Sequence, residues 1–374
     1  MSKKAWLGVA VAVAIAALAV FALRTRLSKQ GGITIGATLP LSGDAAVFGK
    51  NTQEGIDLAV KEINDAGGVL GRKITIQYED TQALAKEGVT AYQKLVSVNK
   101  VPAIIDDSVS SVTLAMAPLA DRDHVVILAT GATAPQISGV SKYVFRIWNS
   151  DAYEGQVIAE CAFAEMSLKN VAILYCNNEY GQGLKGVFRA QFLGRGGRIA
   201  TEEAFEQGAT DFRTQLTKIG ATNPDGIYLV GYPKEIGAAL RQSKELGISA
   251  KLLGTVALHD QQLIDIAGHA ADGVVFPFPK DPTGNQVDNF KTAFAAKYSK
   301  APPVLADVGY DAVRMIARAI EVSKDAAGDQ LRQGLSTLKD YSGASGMMTF
   351  DERGDVHKPM GIKVIQDGKF VWRS

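Results

Sequence analysis

The chain has 374 residues, enough for two or three domains of ordinary size. Hydrophobic residues make up 47% and charged residues 21%, which excludes a disordered chain; 40 basic against 39 acidic residues leave a formal charge of +1 and no electrostatic footprint for nucleic acid. Two cysteines and four histidines exclude a cysteine-rich zinc site and a disulfide scaffold.

Ala5 to Leu23 form nineteen consecutive residues without a charge, between Lys3-Lys4 and Arg24-Thr25-Arg26. As a helix this run rises about 28 Å, close to the hydrocarbon thickness of a bilayer. It is longer than a usual signal core, and arginines stand where a cleavage site wants small residues. No cysteine follows for lipid attachment. An uncleaved amino-terminal membrane anchor is therefore expected, with a cleaved export signal as the alternative. Either places the remainder outside the cytoplasm.

After the linker SKQGG, β-rich runs alternate with helical ones. ITIGATL, KITIQYED, VPAIIDD and HVVILAT read as strands; GIDLAVKEINDAG, GVTAYQKLVSVN and TLAMAPLAD read as helices. The series restarts near RIWNS at 146–150. There follow NVAILYC, GRIATEEAF, GIYLVG and KLLGTV as strands, separated by helices of about ten or more residues. This alternation predicts βαβ units, hence an α/β fold of two doubly wound, parallel-sheet lobes. A long helix, LADVGYDAVRMIARAIEVSK, comes later. The carboxy-terminal stretch alternates with period two and has turns at Arg353-Gly354-Asp355 and Asp367-Gly368. Cys161 and Cys176 sit on a neighbouring helix and strand. Two buried free thiols are expected, although a disulfide is compatible with that placement.

Motifs for enzymatic chemistry do not emerge. The first turn, LPLSGDAAVFGKNTQEG, lacks the dinucleotide glycine pattern. The chain has no Walker lysine, H-E-x-x-H or G-x-S-x-G, and His124, His259, His269 and His357 have no ligand spacing. No catalytic residue, metal or cofactor is expected. Asp106-Asp107 end a strand at the edge where α/β proteins bind ligands, but strand neighbours point to opposite faces. A binding reading has more support. Ser108, Ser110 and Ser111 lie between a strand and a helix, where hydroxyls and free N–H groups form an anion seat or an ordinary cap. ATGATAP at 129–135 follows another strand. Tyr180 and Tyr232 lie just past strand ends in the second half; weak singly, these strand-end features together define two rims of one cleft.

From Ile33 onward the chain resembles the branched-chain amino-acid binding proteins of bacterial ABC importers. The resemblance is carried by IGATLPLSGDAAVFG, GIDLAVKEINDAGGVLGRKI, IIDDSVSSVT, TGATAP, NNEYGQG, GYDAVRMIARAI and GMMTFDERGDVHKP, in that order. It implies a two-lobed periplasmic binding fold with three crossovers, near 146–150, 276–281 and 344–348. Lobe one would hold 32–147 and 280–345; lobe two would hold 148–279 and 346–374. It implies a non-enzymatic receptor that hands a small amino acid or carboxylate to ABC permease subunits. A sensory use of the same fold is the alternative.

By motif, Ser110 matches the serine that holds the ligand carboxylate, and Thr133 matches the threonine completing that seat. Gly131 matches the carbonyl that receives the ammonium. Tyr180, Tyr232 and Phe48 match aromatic walls, and Asp151 an acidic position flanking the cleft. Val256 departs from the pattern, since the family's amino-acid binders carry a glutamate there to pair the ammonium. Either Asp106, Asp107 or Asp151 takes over that role, or the ligand is a carboxylate without an ammonium.

Overall fold

The computed structural model describes residues 31–43, 45–106 and 109–373. The apolar run at 5–23, Asp107 and Ser108 lie outside them. Among the described residues no helix is long and apolar enough to cross a membrane.

Two sheets carry the molecule. The first comprises β1 (Ile33–Leu39), β2 (Ile74–Asp80), β3 (Ala103–Asp106), β4 (Val126–Ala129) and β5 (Val144–Arg146), in the order β2-β1-β3-β4-β5. All its pairings are parallel. The interior strands β3 and β4 are buried at every position, as continuous apolar runs must be when helices cover both faces. Helices α1 (Ala46–Asp65), α2 (Ala85–Ser97) and α3 (Ser110–Asp123) connect these strands.

The second sheet contains β6 (Asn170–Cys176), β7 (Arg198–Phe205), β8 (Gly226–Val230), β9 (Lys251–Leu253) and β10 (Val275–Pro279). Its helices are α4 (Asp151–Glu160), α5 (Glu179–Gly194), α6 (Arg213–Ala221), α7 (Pro233–Glu245) and α8 (Gln261–Ala267). The chain then returns to the first sheet as α9 (Asn285–Tyr298), α10 (Ala306–Ser323) and α11 (Gly328–Ser336). A two-stranded ribbon follows, β11 (Tyr341–Gly343) with β12 (Gly346–Met348). Finally β13 (Met360–Gln366) and β14 (Lys369–Trp372) join the second sheet antiparallel, giving the order β14-β13-β10-β9-β8-β6-β7. Asp367 and Gly368 both have positive φ, 49° and 69°, as the tight turn of that hairpin requires. The chain thus passes between the sheets after β5, after β10 and between β12 and β13.

Two glycines fix how α1 meets α10. A Cβ on Gly55 would lie 1.8 Å from the Ala306 carbonyl oxygen, and one on Gly309 would lie 2.4 Å from that of Thr52. Both obstacles are backbone, so the helices touch only because these residues lack side chains. The contact sets the start of α1, with Phe48, against the start of α10, with Leu305. Cys161 and Cys176 are buried free thiols. Burial, followed by the neighbouring Glu165 charge, pushes the Cys161 thiol up to about 12.

Candidate functional site

The cleft between the two sheets is built from turns that follow their strands. Ser110 is the first residue of α3, not its cap; the cap is Val109, which makes no side-chain cap hydrogen bond. The buried Ser110 hydroxyl reaches instead across to the loop after β4. The Thr133 and Ala134 N–H groups each donate to its oxygen at 3.1 Å. With both acceptor positions used, its own O–H is left to donate.

The other side of that loop is held by Arg146, which is fully buried. Its guanidinium donates to the Thr133 and Ala134 carbonyls at 2.9 and 3.0 Å and to Ser138 Oγ at 2.8 Å. It also pairs with Asp355 at 2.7 Å. One cation therefore ties the first passage between the sheets to the last and fixes Gly131 and Thr133 at the cleft.

On the opposite wall, the Asn178 side chain caps α5 by accepting from the Gly181 N–H at 3.0 Å, which orients Tyr180. At the start of α7, Glu235 accepts from the Tyr232 N–H at 3.1 Å and orients Tyr232. The two rings stack, with centroids 5.6 Å apart and planes at 27°. The Tyr180 hydroxyl donates to Thr255 Oγ1 at 2.8 Å. Phe48, from the first lobe, stands 6.5 Å from Tyr232. A cavity of about 40 Å³ lies between the walls, lined by Gly131, Thr133, Phe48, Tyr180, Tyr232 and Val256. Trp148, Ala257, Val304 and Leu305 complete it. Leu305 has φ of +72°, a backbone region that bulky residues rarely adopt and that clusters at ligand sites.

The acids distribute themselves unequally. Asp106 does not serve the cleft: it is fully buried and accepts from the Thr38 hydroxyl at 2.9 Å and the Thr113 hydroxyl at 2.5 Å. It braces β1 and α3, and so cannot replace a glutamate at 256. Asp151 is fully buried directly behind Thr133, a residue of the cavity wall. It opens α4 behind the Ser150 cap, and its N–H donates to the Thr133 carbonyl at 2.8 Å. One turn on is Glu154, a buried acid that the sequence reading passed over. Its Oε1 accepts from the Val256 N–H at 3.0 Å, so a carboxyl group lies at the backbone of the position where the expected glutamate is missing. Spacing of three on a helix places Asp151 and Glu154 on one face, and that was the available signal.

Burial pushes Asp151 up to about 7, against the lowering effects of the Thr133 hydroxyl and the Arg146 charge. Burial, then the charge of Asp151, pushes Glu154 well above the usual carboxylate range. The same two acids add to burial in keeping the Tyr180 phenol neutral. Two buried carboxyls without a cation between them hold a proton that each would otherwise release.

The chain matches known proteins over nearly its whole length. The family described as "Periplasmic binding protein" matches residues 32–369. The chain is 30% identical to the Leu/Ile/Val-binding protein homolog 3 of Brucella melitensis, over 91% of this chain and 93% of that one. Among solved structures, a leucine binding protein from Thermotoga maritima superposes with a TM-score of 0.86 at 29% identity, covering 91% of this chain and 98% of that one. A branched-chain amino acid transporter substrate binding protein from Streptococcus pneumoniae, in complex with isoleucine, gives 0.83 at 27% identity, covering 91% and 97%. The chain belongs to the periplasmic binding proteins, a family of extracytoplasmic solute receptors and not of enzymes.

Proposed function

We propose that the protein is the extracytoplasmic receptor of an ABC importer and that it captures a small apolar α-amino acid, of the branched-chain class that its relatives' names describe. In this reading the lobes, 32–147 with 280–345 and 148–279 with 346–374, close about the three passages between the sheets. The Ser110 O–H donates to the ligand carboxylate, with Thr133 beside it and its hydroxyl turned to Asp151. Tyr180, Tyr232, Phe48 and Trp148 enclose its side chain. The Asp151–Glu154 pair takes the ammonium.

One observation carries the choice of an amino acid over a plain carboxylate. The buried acid pair stands at Thr133 and Val256, two residues of the cavity wall, and it holds a proton where a cation would serve. An ammonium there supplies the missing counter-charge. A ligand without one would leave the pair as it is and gain nothing from it.

Calorimetry of leucine against 4-methylpentanoate, its deaminated counterpart, tests the reading. Leucine should bind at least about a hundredfold more tightly, the value expected for one buried charge pair. Equal or tighter binding of the deaminated acid would refute it. We further propose that residues 5–23 remain as an uncleaved anchor; amino-terminal sequencing of the exported protein checks this, and a start near residues 24–32 would exclude it.

A further inference from the structure

Beside the cleft lies a second and larger cavity, of about 570 Å³. It shares Trp148, Val304 and Leu305 with the first. All three passages between the lobes border it, through Trp148, through Pro279 to Pro282, and through Lys358. Its walls are mainly apolar, with Phe278 and Phe290 facing the same space.

Two buried ammonium groups line it. Lys358 is 6% exposed; its Nζ donates to Ser345 Oγ at 2.9 Å and lies 5.5 Å from the Trp148 ring centre. Lys363 is 7% exposed; its Nζ donates to His259 Nε2 at 3.1 Å and lies 4.6 Å from the rings of Phe278 and Trp372. Among the described residues neither ammonium forms an ion pair with a carboxylate. Their hydrogen-bond partners are neutral: a hydroxyl, and an imidazole that burial and the Lys363 charge hold down at about 4. The same imidazole has a second nitrogen, Nδ1, that is buried without a hydrogen-bond partner. Three acids act on them from beyond ion-pair distance, Asp307 and Asp311 on Lys358 and Asp281 on Lys363. Burial raises Asp307 and Asp311 toward their neutral forms, and Asp281 accepts from the Trp372 indole at 2.9 Å. Buried cations without a contacting carboxylate are costly, and an anion in this cavity would supply a direct counter-charge.

We infer that this cavity is a second subsite that takes an organic carboxylate, its charge between Lys358 and Lys363 and its apolar body on Trp148, Phe278 and Phe290. The carboxylate belongs either to a separate small acid or to the distal end of a ligand whose head occupies the inner cleft, because the two cavities share a wall.

Two titrations separate these sources and test the subsite itself. Hexanoate is titrated into the full-length protein saturated with leucine, and 2-aminopimelate into the ligand-free protein. Each is repeated with Lys358→Met and Lys363→Met, which remove a buried charge and keep an unbranched apolar side chain, and with Lys358→Arg, which keeps the charge. Loss of hexanoate affinity by at least about tenfold in the methionine variants, with the arginine variant retaining it, establishes a separate acid. The same pattern for 2-aminopimelate alone establishes one molecule spanning both cavities. Leucine affinity should stay within about twofold in every variant. The subsite is refuted if both acids bind the methionine variants as well as the wild type, or bind the wild type not at all at millimolar concentration. Hexanoate titrated into ligand-free protein with the same variants gives this answer even if leucine is not the inner ligand.

Discussion

Removing the charge of the Asp151–Glu154 pair should abolish preference for an ammonium while leaving the fold intact. Glu154→Gln is nearly isosteric, and its amide oxygen can still accept from the Val256 N–H now bonded to Oε1 at 3.0 Å. Asp151→Asn keeps the backbone bond from its N–H to the Thr133 carbonyl. Each single variant leaves one acid, which is freed from its partner's repulsion and ionises more readily. The expected loss of leucine affinity is then about tenfold, or about 1.4 kcal/mol. The double variant leaves a buried ammonium with no counter-charge, which costs about 3–5 kcal/mol, or roughly 150- to 4,000-fold in Kd. Calorimetry at pH 7.5 measures both.

Stability supplies the control. An acid whose folded pKa is raised costs the fold nothing below its unfolded pKa of about 3.9; the cost grows as pH rises from there and is complete above the folded pKa. The ligand-free double variant should therefore melt at or above the wild-type temperature at pH 8, so that weak binding cannot be assigned to unfolding. Leucine bound by the double variant within about threefold of the wild type would refute the assignment of the ammonium to this pair.

Other outcomes follow from the same geometry. Asp151, pushed up to about 7 by burial, is about nine-tenths protonated at pH 6, so leucine binding should release close to one proton there, measurable by calorimetry in buffers of different ionisation enthalpy. Leucine affinity should fall toward tenfold per unit as pH drops below 7, whereas 4-methylpentanoate affinity should not. Ser110→Ala leaves the Thr133 and Ala134 N–H groups without their acceptor; a loss of about 1–3 kcal/mol in denaturant unfolding is expected, with binding weakened beyond that. Gly309→Ala drives a Cβ to 2.4 Å from the Thr52 carbonyl oxygen; about 1–3 kcal/mol of destabilisation is expected, together with weaker ligand binding because α10 carries Leu305.

The sequence disclosed most where local patterning and burial agree. β3 and β4 are short apolar runs buried at every position, and the Asp367-Gly368 turn follows from residues that tolerate positive φ. Elements were missed where a pattern is short or diluted. β5 is three residues, Val144–Arg146, and β4 is the only named strand it pairs with. α9 shows only Val287, Phe290 and Phe294 as buried anchors among polar neighbours. Met347 and Met348 belong to β12, which pairs back onto β11 and not with the carboxy-terminal hairpin, because Asp311 of α10 accepts from the Ala344 and Ser345 N–H groups and holds that ribbon against the first lobe. Nothing within twenty residues of Ser345 announces Asp311.

The site divides in the same way. Tyr180 and Tyr232 follow their strands closely, and local caps aim them, so strand-end position alone brought them forward. Ser110 and Thr133 were visible as a motif, but the reason they work together was not: a buried arginine thirteen residues beyond Thr133 holds the loop by its carbonyls while the serine holds it by its N–H groups. The replacement for the lost glutamate was the least visible feature. A position-by-position comparison registers Val256 as an absence, because it looks for the charge on the same residue. In space the requirement is for a carboxyl beside the Val256 backbone, and a helix 102 residues earlier in the chain delivers it from Glu154. The physical constraint acts on the volume next to the ligand and is indifferent to which segment fills it.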